Sequence, residues 1–290
     1  MRFFAAKIRL YKPLIKTSQT GLLLATGVAG YLSAGIQVNL VTFTGLILSL
    51  FLSISGSTIL NMYYDRDIDT VMNRTHNRPL ATGAVGPREA LRLGLVFSLL
   101  GVGLAVIMEP LYGLVVFAGL FFDVVVYTIW LKRKTCWSIV WGGISGGMPI
   151  LAGRVLAIGH FDLVGVLLTL AILFWIPTHT LTFSMRFYED YKAAGVPTFP
   201  STYGFAFTRA VIAISAVLAA LCIGWASVLI GVEAGFLRLL IVLATGLLVL
   251  SFATVTRPSE RVNFGLFKYA SLYMLCSMIV LSIQPYVTIA

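Results

Sequence analysis

Residues 61–79, NMYYDRDIDTVMNRTHNRP, concentrate oxygen ligands and cations directly after an apolar run. Asn61, Asp65 and Asp69 are spaced by four, so on a helix they share one face, while Asp67 points elsewhere. Carboxylates stacked in this way repel one another unless a cation sits among them. Mg²⁺ suits the set: it is a hard cation that takes one or two carboxylates and completes its shell with substrate phosphates. Arg66, Arg74 and Arg78 interleave with or follow the acids and offer guanidinium forks for phosphate oxygens. A solvated, charged loop at a membrane surface would account for any two of these carboxylates. The whole N-x-x-x-D-x-x-x-D spacing, followed by R-T-x-x-R-P-L, points instead to a diphosphate–Mg²⁺ site.

Other chemistry-bearing residues are more scattered. Glu189 and Asp190 open the loop after a later apolar run, in RFYEDYK, with Lys192 beside them. They read as a second Mg²⁺ pole facing the first across a cavity, or as a solvated pair if taken alone. Tyr127, Lys132 and Arg133 lie in VYTIWLKRKT at the end of another run. Either the two cations reach a diphosphate from the rim or they anchor the helix end. His179 follows Pro177 in WIPTHTLTFSM and is a ligand or a hydrogen-bonded structural residue. Asp123 and Arg154 fall inside apolar spans, where ionisable groups are costly and face partners or cavities.

The elements that position these groups are membrane helices. The chain has 290 residues, 59% of them hydrophobic and 11% charged, which excludes an ordinary soluble domain. Nine apolar runs, at 18–36, 39–63, 88–108, 111–131, 137–158, 163–186, 207–231, 234–256 and 264–288, are long enough to span a bilayer. The fold class predicted is an all-α membrane protein, a single transmembrane domain over 1–290 with a basic interfacial segment at 1–17. With the N-terminus cytoplasmic, 19 of the 21 Lys and Arg residues lie on inner segments, so the net charge of +10 reflects topology and not nucleic-acid binding. The site then faces the cytoplasm across the cell membrane. Cys136, Cys222 and Cys276 have neither metal spacing nor a disulfide pattern. A secondary transporter is the rival class, but it should hold its coupling carboxylates near the midplane, and here only Asp123 is deep.

The stretch 61–91, NMYYDRDIDTVMNRTHNRPLATGAVGPREAL, resembles the first motif of the UbiA superfamily of intramembrane prenyltransferases. More narrowly it resembles the protoheme IX farnesyltransferase (haem O synthase) branch. YKPLIK at 11–16, YTIWLKRKT followed by GGISGGMPIL, and His179 followed by EDYKAAGVPTFP are similar to that branch's other motifs. The resemblance implies nine helices around a central cavity, two Mg²⁺ ions, a lateral opening to lipid, and transfer of a farnesyl- or geranylgeranyl-like group from its diphosphate to a lipophilic acceptor. It implies metal binding by Asn61, Asp65, Asp69, Glu189 and Asp190, with Asp65, Asp69 and Asp190 catalytic. Substrate contacts are then expected from Asn61, Arg66, Arg74, Arg78, Tyr127, Lys132, Arg133, His179 and Lys192. For a haem acceptor, a vinyl group is alkylated and water completes a hydroxyethyl product; aromatic, quinone-precursor and glycerophosphate acceptors are the alternatives. The sequence departs from the branch pattern at Thr178, at Asp123 where Tyr is expected, and at Arg154 where an apolar or aromatic residue is expected. These departures bear on which acceptor is used and not on prenyl transfer.

Overall fold

Local signals at the ends of the apolar runs decide where each helix begins. The computed structural model describes residues 10–287. Helix α1 (Thr17–Leu32) follows Lys16, whose backbone is left-handed (φ 44°, ψ 61°) and whose carbonyl accepts from the Gln19 and Thr20 amides at 2.9 and 3.0 Å. Lys16 is the one non-glycine among the described residues with positive φ, a conformation costing about 1–2 kcal/mol for a residue with a Cβ. Asn39 opens α2 (Leu40–Tyr64) by accepting from the Val41 and Thr42 amides. After the short α3 (Arg66–Val71), α4 (Pro87–Met108) and α5 (Pro110–Leu120) each start on a proline, where the missing N–H costs nothing. Helix α5 continues as a π-helical stretch, Phe121–Leu131. Helix α6 (Ser138–Ile158) ends on left-handed Gly159, and α7 (Leu163–Arg186) is capped by Asp162 through the Gly165 amide. Then come α8 (Tyr188–Ala193), α9 (Phe199–Ile230, opened by a Thr198–Ser201 capping box), α10 (Ala234–Thr256) and α11 (Glu260–Val287).

Among the described residues there is no strand, and 8 helices are long and apolar enough to cross a membrane: α2, α4, α5 with its π-helical continuation, α6, α7, α9, α10 and α11. The first expected run, 18–36, is helical for 16 residues only, because the chain turns out of the helix at Ser33 and passes through left-handed Gly35. Helix α9 begins at Phe199 and not at 207, and bends at Gly204 (φ 79°, ψ 169°), which apolar periodicity does not reveal. Of the basic segment, residues 1–9 lie outside the described residues. In its remainder Leu14 is fully buried with Ile59, Met62, Leu80 and Val85, while Lys12, Pro13 and Thr17 are exposed.

In lipid, helices gain little from hydrophobicity and associate through close packing. Helices α1 and α6 touch backbone to backbone. A Cβ added at Gly30 would lie 2.0 Å from the Ile150 carbonyl oxygen, and one at Gly153 would lie 1.9 Å from that of Gly27. One residue on, Arg154 donates from Nε and Nη2 to Asp162 at 2.7–2.9 Å and from Nη1 to the Ser33 carbonyl and hydroxyl at 3.0 Å. It thereby ties α1, α6 and α7 together at the end of the bundle away from residues 61–79. Asp123, the other intramembrane ion, does not meet it. Gly153→Ala is expected to push α1 from α6 and cost about 1–3 kcal/mol or more of stability. Gly103→Ala, where an added Cβ meets nothing within 4 Å, serves as the control. Thermal melting of both variants in detergent checks this; an unchanged Gly153→Ala melt would contradict the close crossing.

Candidate active site

Helix α2 carries a polar stripe at four-residue spacing through an otherwise apolar span: Ser53, Ser57 and Asn61, leading to Asp65 and Asp69. The helix breaks at Asp65 (φ −87°, ψ −1°), where α3 begins. The break keeps the register, since the Asp65 amide donates to the Asn61 carbonyl at 2.9 Å and the Asp69 amide to the Asp65 carbonyl at 2.8 Å. All five side chains line one cavity of about 660 Å³, and Asn61, Asp65 and Asp69 are buried.

Asp65 and Asp69 each have a cation from another segment. Lys132, at the end of the π-helical stretch, pairs with Asp65 Oδ2. Arg78 Nη1 donates to both oxygens of Asp69 at 2.9 and 2.8 Å. Asn61 is gripped at both ends: its Nδ2 donates to Asp123 Oδ2 at 2.8 Å, and its Oδ1 accepts from the Thr128 hydroxyl at 2.7 Å. Ser57 also donates to Asp123. Arg74, Tyr127 and Lys16 complete the charged end of the cavity, with Arg74 lying 5.0 Å over the Phe183 ring. Burial, then the nearby Arg78 and Lys132 cations, push the Lys16 ammonium down to about 8. Asp123 is legible in the sequence as an ion inside a span. Lys16 is not, because nothing separates it from the other basic residues before α1.

The other wall is apolar and aromatic, with Leu50, Ile54, Val116, Ile139, Trp175 and Ile176. His179 joins it, stacked between Trp175 and Phe267 at 4.8 and 4.3 Å between ring centroids, with Nδ1 3.2 Å from the Ser271 hydroxyl.

Arg66, Arg133, Glu189, Asp190 and Lys192, expected at the site, do not line this cavity. Arg66 is exposed and turns back onto the Tyr63 carbonyl and ring. Arg133 forks onto exposed Asp67 at 2.6 Å and onto the Tyr64 carbonyl. Glu189 and Lys192 are on the exposed side of α8. Asp190 is buried and reaches the first acidic loop, where it accepts from Asn73 Nδ2 at 3.2 Å and the Arg74 amide at 3.1 Å. It thus holds the strand of loop that presents Arg74.

Asp65 Oδ1 is buried with no hydrogen-bond partner among the described residues. An orphaned carboxylate oxygen beside Asn61 and Asp69 is a donor set that fits a hard divalent cation. No group of three or more Asp, Glu, His or Cys residues able to hold a metal occurs among the described residues. The arrangement therefore joins a polar, cation-rich end to an apolar chamber, which suits an amphiphile with an anionic head.

The Arg133 fork holds the Asp67 carboxyl down to about 2. A carboxylate depressed in the folded state contributes stability above its unfolded value near 4, and this is lost as pH falls towards 2. The pair is exposed, so Asp67→Asn is expected to cost less than about 1 kcal/mol. Turnover should stay near wild type. A melting curve and a rate measurement on this variant check both, and a large loss of turnover would mean that Asp67 faces the substrate.

Comparison with known proteins agrees with this geometry. A family model described as the UbiA prenyltransferase family matches residues 22–274. The protoheme IX farnesyltransferase of Archaeoglobus fulgidus is 43% identical over 200 residues, 68% of this chain and 70% of that protein. That of Aeropyrum pernix is 35% identical over 282 residues, 96% of this chain and 92% of that protein. Among solved structures, digeranylgeranylglyceryl phosphate synthase superposes with a TM-score of 0.80 at 16% identity, covering 97% of this chain and 99% of that one. A UbiA homologue from Archaeoglobus fulgidus bound to DMAPP and Mg²⁺ superposes with a TM-score of 0.69 at 18% identity, covering 95% and 99%. At these identities the two structures show a shared fold. With the family model spanning the acidic stripe, the cavity and the helices around it, the chain belongs to the UbiA prenyltransferase family and is a multi-pass membrane prenyltransferase.

Proposed function

We propose that this enzyme transfers a farnesyl- or geranylgeranyl-like group from its diphosphate to haem in a Mg²⁺-dependent reaction. The orphaned, buried Asp65 Oδ1 in a cation-rimmed, otherwise apolar cavity is the observation that carries the reading. The relatives named protoheme IX farnesyltransferase favour haem over aromatic, quinone-precursor or glycerophosphate acceptors. Asn61, Asp65 and Asp69 would hold one Mg²⁺, and Asp190, which reaches the loop that presents Arg74, would help to hold a second. When bound, the metal supplies positive charge to a leaving diphosphate. Arg78, Lys132 and Arg74 bind the diphosphate oxygens and stabilise the charge that develops as the allylic C–O bond breaks and the bonding pair leaves with the diphosphate. The apolar wall takes the prenyl tail and keeps water from the allylic cation. His179, with Nδ1 engaged by Ser271, offers its other ring nitrogen to the acceptor, and imidazole is an ordinary haem ligand. The distribution of Lys and Arg supports a ninth membrane crossing through α1, with the N-terminus and the site on the cytoplasmic side of the cell membrane.

Incubation of purified protein with farnesyl and geranylgeranyl diphosphates, Mg²⁺ and a panel of acceptors including haem tests the reaction. Diphosphate release that requires both Mg²⁺ and an acceptor is expected; its absence with every acceptor would refute the reading. Asp65→Asn keeps size and helix geometry, and is expected to lower turnover about a hundredfold or more, since one lost transition-state contact costs roughly 3 kcal/mol. Near-normal turnover would remove Asp65 from the metal site.

Asp190 acts on the substrate either as a metal ligand or only by holding the Arg74 loop. Calorimetry with a thio-diphosphate analogue separates the two. As a metal ligand, Asp190→Asn weakens binding in Mg²⁺ far more than in EDTA, because metal and diphosphate raise each other's affinity by the same factor. An equal loss under both conditions would leave Asp190 a loop clasp. Binding of an uncharged prenyl alcohol is expected to be unchanged in either case.

A further inference from the structure

Four basic side chains line the cavity: Lys16, Arg74, Arg78 and Lys132. Arg78 and Lys132 are paired with Asp69 and Asp65, and Arg74 lies over the Phe183 and Phe187 rings. Lys16 has no ion pair, side-chain hydrogen bond or ring contact among the described residues. It also stands in a backbone conformation that glycine would adopt freely (φ 44°, ψ 61°). The local structure does not need a side chain there. The helix start is satisfied by the Lys16 carbonyl, which accepts from the Gln19 and Thr20 amides, and by Thr20 Oγ1 on the Ile15 carbonyl. A residue in a strained backbone conformation, whose charge has no ion pair among the described residues, marks a position where the charge itself has a use.

We infer that Lys16, a cavity cation with no ion pair among the described residues, is a diphosphate-binding residue that engages the substrate head from the α1 side. This rests on the proposed reaction and extends it to a residue that the acidic stripe does not identify. Three elements then close on the head: the segment before α1 with Lys16, the loop after α3 with Arg74 and Arg78, and the end of the π-helical stretch with Lys132. Burial, with repulsion from Arg78 and Lys132, depresses the Lys16 pKa more than Asp65 and Asp123 raise it, and a bound diphosphate would offset that repulsion.

Binding of farnesyl thio-diphosphate in Mg²⁺, followed by calorimetry alongside thermal melting, tests this on Lys16→Met, Lys16→Arg and Lys16→Gly. A charged hydrogen bond corresponds to about a tenfold or larger factor in affinity. Lys16→Met and Lys16→Gly are expected to weaken binding by that factor, and Lys16→Arg to keep most of it. Lys16→Gly is expected to melt no lower than wild type, because it relieves the left-handed strain while losing the charge. A structural role predicts the reverse: glycine binds normally, or loses binding and stability together. Wild-type affinity in Lys16→Met or Lys16→Gly overturns the inference and leaves the proposed reaction standing. Failure of the wild-type protein itself to bind the analogue removes the proposed reaction, and this inference with it.

Discussion

Two ion pairs, Asp65–Lys132 and Asp69–Arg78, set the terms for the rest of the structure. Both carboxylates are buried at the edge of a membrane protein, where an unpaired charge is strongly destabilising. Each therefore needs a cation delivered from elsewhere in the chain. Lys132 comes from the end of the fourth apolar run and Arg78 from the loop that follows α3. Meeting this need brings α2, the π-helical stretch and the acidic loop to one point. The loop is in turn held by Asp190 on Asn73 and Arg74, and by Leu80 and Val85 packing on Leu14 and Ile59. The charged end of the cavity is thus built from segments far apart in sequence, fastened by the same charges that could later meet a substrate.

The π-helical winding of Phe121–Leu131 makes this convergence possible. Its i→i+5 repeat puts residues five apart over one another. Asp123 and Thr128 are so related and grip opposite ends of the Asn61 amide, with the Thr128 hydroxyl oxygen also 2.9 Å from the Asp123 carbonyl. Tyr127 and Lys132 are the next such pair: the Lys132 amide donates to the Tyr127 carbonyl at 2.8 Å and the ammonium lies 5.7 Å from the Tyr127 ring. An α-helical repeat would rotate one member of each pair away from the other. The unusual winding aligns an amide-fixing pair and an acid-neutralising pair on the cavity side of a single element.

What the sequence reveals depends on whether a feature is local. The spacing of Asn61, Asp65 and Asp69 is legible because the break at Asp65 preserves the i→i+4 hydrogen bonds, so a simple helical count stays valid across it. The same count places Asp67 outside, where it meets Arg133. The apolar spans are legible from their length. The short α1 is not, since its end at Ser33 depends on a turn through Gly35 and on the Arg154 clasp. Arg66, Arg133, Glu189 and Lys192 were expected at the site because they sit beside it in sequence. Their side chains go instead to Asp67, nearby carbonyls, rings or solvent, which only the tertiary arrangement decides. Lys16 is the converse case, an unremarkable basic residue whose backbone conformation, and lack of an ion pair among the described residues, appear only in three dimensions.

These placements have a consequence for charge balance during the proposed reaction. In the protein alone, cations neutralise the acids of the first cluster. A Mg²⁺–diphosphate complex brings both signs at once, so Asp65 and Asp69 can turn to metal and Lys132 and Arg78 to phosphate without stranding any of these four charges at either stage. A bare diphosphate would take the cations and strand Asp65 and Asp69; a bare metal would take the acids and strand Arg78 and Lys132. Either alone meets an electrostatic penalty that the pair avoids. The buried ion pairs therefore stabilise the empty site and also select against half-loaded states, which gives a physical reason for metal and prenyl diphosphate to enter this cavity together.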